Sequence, residues 1–220
     1  MDITTLVAAG IGVVGALGGT LGGAVLSQRA VRTEARESAR RAELERSRAR
    51  EERDEEATRA RYARLNTTAR GYRSAARDAL LAAHRGEEHD PALLDTARDR
   101  WAEEYAQAQM ALPLPLLGYA AALNRALGNG YLVVRELPLH PDPQLAFERG
   151  RVWFADTLAD GVWLLQYVLR HDLGLDDRPE AAEAAPRRLA ALNAAREELS
   201  ARMEEERDAR APRLAPPDTP

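Results

Sequence analysis

Four histidines, His84, His89, His140 and His171, are the side chains best suited to general acid–base work or to ligating a metal. None stands four residues from another and none sits in a His-Glu-x-x-His frame, so a metal site would need assembly from separate elements. The Glu-x-x-His pair of di-iron bundles is absent, because the residues three before each histidine are Leu81, Gly86, Leu137 and Val168. Each histidine falls near a predicted helix end or loop, where a solvated or capping role suffices, and His171 at a helix C-terminus suits the helix dipole. The carboxylate pairs Asp156 with Asp160 and Asp176 with Asp177 read as a solvated helix face and a cap. Serines are few and none lies in a G-x-S-x-G elbow. Cysteine is absent, which excludes disulfides, thiolate metal sites and a thiol nucleophile. Every basic residue is arginine, so no Schiff-base or P-loop lysine exists either. We therefore assign no catalytic, cofactor-binding or metal-binding residue, and expect neither an enzyme nor a cofactor.

The elements that would position any function begin with an apolar segment. No charged residue occurs from Ile3 to Leu26, and a helix over that span would be about 36 Å long, enough to cross a bilayer. Residues 1–26 are thus expected to be a transmembrane anchor. Arg29, Arg32, Arg36, Arg40 and Arg41 follow it closely, which by the positive-inside rule leaves the N-terminus outside and the C-terminal bulk in the cytoplasm of a single-pass cell-membrane protein. The same arginines would contact anionic lipid. A cleaved secretory signal is the competing reading, but a basic n-region and a clear cleavage site are both missing; a buried or oligomer-lining soluble helix is the other.

Glycines recur every four residues at Gly15, Gly19 and Gly23, with Gly12 and Ala16, and Gly18 and Gly22, spaced likewise. In lipid such small-xxx-small surfaces let helix backbones approach, so Gly12, Gly15, Ala16, Gly19, Gly22 and Gly23 point to self-association and a homo-oligomer. The plain frequency of glycine and alanine in membrane helices is the alternative.

Residues 27–61 form a charged stalk in which glutamate and arginine alternate, with no proline or glycine. Pairs such as Glu37 with Arg41 and Glu55 with Arg59 lie one turn apart in the favourable order, each adding about 0.2 to 0.5 kcal/mol to a solvated helix. Alanines at 35, 42 and 49 recur every seven residues, but Glu56 breaks that register, so a coiled coil and a lone helix both remain open. Interleaved acids and the lack of aromatic residues argue against nucleic acid as a partner.

Residues 62–207 carry helical periodicity throughout, and an aromatic share of 5% with abundant alanine favours helices over sheets. The predicted seams are Tyr62, Leu65, Ala69, Tyr72, Ala76 and Leu80; Leu94, Ala97, Trp101, Tyr105, Ala108 and Leu112; and Leu116, Ala120, Leu123, Leu127, Gly130, Val134 and Leu137. A fourth runs through Phe147, Phe154, Leu158, Gly161, Leu165 and Val168, widened by Val152, Trp163 and Leu164, and a fifth through Leu189, Leu192, Leu199 and Met203. Gly86 should end the first helix, Asp90–Pro91 and Asp142–Pro143 should each cap and start another, and Gly128 with Gly130 should bend or break the third. The fourth, running from about Asp142 to His171, should be the most buried. Residues 208–220, ending APRLAPPDTP, should be a disordered proline-rich tail. The fold class is all-α: a transmembrane helix, a long charged helical stalk and an antiparallel bundle of four to five helices.

The glycine-rich anchor, ARESARRAELERSRAR, YARLNTTARGYRSA, WAEEYAQAQMALP and ALNRALGNGY together resemble actinomycete, streptomycete-type single-pass membrane or coiled-coil proteins of unknown function, loosely similar to plasmid-spread Kil-type proteins. The likeness covers about residues 5 to 175, and it implies architecture without supplying a functional residue. The expected role is a membrane-anchored interaction or scaffold protein that meets membrane lipid, copies of itself and a cytoplasmic protein. A pore-forming or membrane-perturbing protein is the alternative, disfavoured because Thr20 alone would line a channel.

Overall fold

The computed structural model describes residues 36–88 and 90–210, together with the helical backbone of 3–35. The anchor's glycine stripe, Arg29, Arg32, His89 and residues 211–220 lie outside the described side chains. Among the described residues no helix is long and apolar enough to cross a membrane. The chain divides into two compact units, Met1–Ala57 and Thr58–Pro220.

The described part is all-helical: α1 (Ile3–Arg85), α2 (Pro91–Ala111), α3 (Leu114–Glu136), α4 (Pro143–Val152), α5 (Leu158–Asp172) and α6 (Pro179–Arg210). In the first unit, positions 36–57 of α1 are exposed except for half-covered Ala42 and Ala49, and Glu37 pairs with Arg41 at 3.6 Å. Arg36, Arg40 and Arg41 are among the exposed residues. A helix here rests on propensity and ion pairs one turn apart, since it has no apolar stripe to bury.

The second unit is held by apolar burial. All six residues of the first predicted seam, from Tyr62 to Leu80, are at most 4% exposed, and the third seam is buried from Leu116 to Leu137. Burying each such leucine or aromatic contributes about 1.5 to 3 kcal/mol. No polar or charged residue is fully buried among the described residues. Side-chain pairings give the helix directions. Tyr62 meets Asp172, Arg73 meets the Phe154 carbonyl and His84 stacks on Phe147, so the end of α1 runs antiparallel to α4 and α5. Trp101 with Asn124 and Asp95 with Tyr131 make α2 and α3 antiparallel. Arg125 with Asn193 and Glu136 with Arg207 make α3 and α6 parallel. The result is an up-and-down bundle in which α3, α5 and α6 pack mutually.

Local sequence explains most of the boundaries. Gly86 leaves α1 at φ +66°, a left-handed conformation that costs glycine nothing, and Glu87 N–H returns to the Ala82 carbonyl. The Asp90 carboxylate accepts from Ala92 N–H and that of Asp142 from Leu145 N–H, with proline in the first turn of each following helix.

Three expectations are corrected. First, α3 does not break at Gly128 or Gly130 but continues to Glu136. Gly130 is a point of close approach: a Cβ there would lie 2.9 Å from Phe154 Cε1 and 3.2 Å from Leu158 Cδ1. Second, the predicted fourth helix is interrupted by one π turn, Trp153–Thr157, in which Leu158 N–H bonds the Trp153 carbonyl. Val152, the last residue of α4, is 46% exposed where the seam placed it inside, because it lies on the face of α4 opposite Ala146, Phe147 and Gly150, while Trp153 and Phe154 are both buried. Third, residues 208–210 belong to α6, not to the tail. Arg210 ties them down through the Leu139 carbonyl at 3.2 Å and Glu136 at 3.3 Å.

Candidate functional site, a groove beside the π turn

The π turn and α4 stand opposite the middle of α6, and between them lies an open groove of about 530 Å³. Its size is that of a ligand cleft or of a slot for a few side chains. Trp153 and Leu199, each 5% exposed, form its floor, and Leu145 and Val152, 57% and 46% exposed, stand on one rim. Exposed large apolar residues scattered singly are ordinary; two bordering an apolar cleft are what an interaction face requires.

Charges on the groove walls are paired within the molecule. Arg149 grips Glu206 through both guanidinium ends, at 2.6 and 2.9 Å, with Arg151 on Glu148 at 2.8 Å and Arg202 on Glu198. His140 adds a third group at the closed end. Its side chain is 8% exposed and Nε2 lies 3.3 Å from Glu206 Oε2, close enough for an ion pair but too poorly aligned for a hydrogen bond. The Arg149 guanidinium, and His140 behind it, hold the Glu206 carboxyl below the usual carboxylate range against an opposing desolvation. Glu206 is thus a locked anion and a poor proton acceptor, and the trio behaves as a clamp joining α4, the 3₁₀ turn Leu137–Leu139 and α6. Two buried donors beside the groove, Trp153 Nε1 and Arg149 Nε, have no hydrogen-bond partner.

The histidines are dispersed. His84 stacks on Phe147 with ring centres 3.6 Å apart, and His171 Nδ1 lies 2.8 Å from the Asp176 carbonyl. His140 takes the Asp142 backbone N–H at 3.0 Å, which makes it a local capping residue, yet its ring is buried and not solvated as expected. Among the described residues no three histidine, aspartate or glutamate side chains gather as a metal site. Asp160 faces Arg188 at 3.9 Å on an exposed surface, and Asp176 is held by Arg178 at 2.7 Å, which depresses its pKa. Sequence reading missed the groove, because its two walls come from residues 145–157 and 195–206, which no local residue pattern relates. No protein-family model matches the chain, and neither a curated protein nor a solved structure shows significant similarity to it.

Proposed function

We propose that this chain is a membrane-anchored helical interaction protein without catalytic activity, similar in plan to the actinomycete proteins its sequence resembles. In this reading residues 1–26 span the bilayer with the N-terminus outside. Gly12, Gly15, Ala16, Gly19, Gly22 and Gly23 bring copies together, and Arg29, Arg32, Arg36, Arg40 and Arg41 lie against anionic headgroups. The bundle, on the cytoplasmic side, receives the apolar face of a partner helix in the groove between α4 and α6.

The observation that carries the reading is the apolar groove rimmed by Leu145 and Val152, whose flanking charges already have partners within the chain. Such a surface gains from covering its apolar floor and loses little by desolvating its rim, as the centre of a helix-in-groove interface does. The test is photo-crosslinking in native membranes from a reactive residue placed at Val152, with Leu93 on α2, 60% exposed and away from the groove, as control. Discrete products from position 152 alone are expected. A monomer with no adduct from either position contradicts the proposal.

A further inference from the structure

We propose that the groove beside the π turn continues along the start of α5, and that its occupant is one basic amphipathic helix of about five turns; this rests on the reading that the groove receives a partner helix. A second cleft, about 220 Å³, lies between the start of α5 and α6. It shares two lining residues, Thr157 and Ala195, with the groove of about 530 Å³, so the two form one furrow.

The spacing of the lining agrees. On α6 it passes through Arg188, Ala191, Ala195, Leu199, Arg202 and Glu206, three or four residues apart on one helical face. The opposite wall runs through Leu145, Glu148, Val152, Asp156 and Asp160, spaced alike across α4, the π turn and α5. Leu145 lines the same part as Glu206, and Asp160 the same part as Arg188, so the walls are antiparallel. A trough between two antiparallel helices is where a bundle seats a further helix. Arg188 and Glu206 stand 18 positions apart, about 27 Å along the axis, which sets the length of the occupant.

Its chemistry follows from what changes along the furrow. At the Glu206 end, the floor of Trp153 and Leu199 and the rim of Leu145 and Val152 call for large apolar side chains. Thr157, Ala191 and Ala195 are small and let a helix backbone come close. Glu148, Glu198 and Glu206 are each bound by an arginine, Arg151, Arg202 and Arg149, whereas Asp156 and Asp160 share the second cleft with Arg188 alone. Arg188 lies 3.9 Å from Asp160 and also covers the Trp163 ring at 4.6 Å. Asp156 is exposed and makes no ion pair or hydrogen bond among the described residues. This acidic edge fits an arginine or lysine on the partner. A lipid acyl chain would instead set both carboxylates against hydrocarbon. Nor does a second copy fit. The large apolar residues exposed elsewhere on its described helices are scattered, Leu44 on the stalk, Leu93 and Met110 on α2, Leu114 and Leu132 on α3, and none lie three or four residues apart.

The experiment is photo-crosslinking of the full chain in native membranes from a reactive residue placed at Arg202 or, separately, at Ala191, both exposed, with the attachment points mapped by mass spectrometry. Both positions should yield the same partner, attached at residues about 11 apart in one helical segment, with an arginine or lysine within a turn of the residue joined to Ala191. Asp156→Asn with Asp160→Asn should lower the yield from Ala191 at least about threefold. Adducts from Arg202 with none from Ala191 leave the groove reading standing and overturn the extension, whereas no protein adduct from either position overturns both. The extension is also overturned by attachment to a second copy of this chain, by a neutral or acidic segment opposite Ala191, or by a yield indifferent to the two asparagine substitutions.

Discussion

Replacing Gly128 and Gly130 by alanine, one at a time, should move stability in opposite directions although the two glycines are only two residues apart on α3. In a helix interior alanine is favoured over glycine by about 1 kcal/mol, through backbone entropy. At Gly128 an added Cβ meets no heavy atom within 4 Å, so Gly128→Ala should retain that gain in full. At Gly130 the same methyl would lie 2.9 Å from Phe154 Cε1, with Phe154 Cζ and Leu158 Cδ1 at 3.2 Å. Phe154 is 1% exposed and Leu158 fully buried, so neither can swing into solvent, and overpacking of this kind costs about 1 to 3 kcal/mol. Gly130→Ala should therefore be net destabilising by up to about 2 kcal/mol, and Gly128→Ala stabilising by about 0.5 to 1 kcal/mol. For a domain of this size each kcal/mol shifts Tm by roughly 2 to 4 °C. Urea unfolding of the full chain, followed by circular dichroism and tryptophan fluorescence, measures both. If Gly130→Ala proved as stable as Gly128→Ala, the account of α3 against the π turn would be refuted.

The Arg149–Glu206 clamp should make stability depend on acid. Because the folded state holds the Glu206 pKa below its unfolded value, the clamp stabilises above the ordinary carboxylate pKa and is lost as pH falls through the depressed one. The stability gap between wild type and Glu206→Gln should be full at pH 7 and shrink below about pH 4, as read by urea midpoints across the range. Asn124→Ala should cost about 1 to 3 kcal/mol in the same unfolding assay, because it strands the indole N–H of Trp101, 2% exposed, which now donates to Asn124 Oδ1 at 2.8 Å. Asp90→Ala should cost about 1 kcal/mol through the lost cap on Ala92 N–H, with Asp90→Asn restoring most of it.

Elements with complete local signals were legible from sequence. The Gly86 stop, the Asp–Pro starts at 90 and 142, and the seams through Tyr62, Leu94, Leu116 and Leu192 follow from backbone preference and a 3.6-residue period, both properties of a few neighbouring residues. Gly130 and the π turn were not legible, because each depends on what stands opposite. Propensity marks Gly130 as a weak point, whereas packing makes it the place where Phe154 can enter. The groove has the same cause, since its walls come from α4, the π turn and α6, which meet only in the folded chain. The His140, Arg149 and Glu206 trio joins residues up to 66 apart in sequence, a separation across which no spacing rule reaches.

Attachment to the membrane is the claim on which the functional reading depends most, and it is tested most directly by the behaviour of the full-length chain in fractionated cells. Uncleaved protein should sediment with membranes, resist extraction by alkaline carbonate, and in right-side-out spheroplasts stay protected from added protease until the membrane is breached. Uncleaved chain in the soluble fraction without detergent, or a bundle digested in intact spheroplasts, would contradict the account.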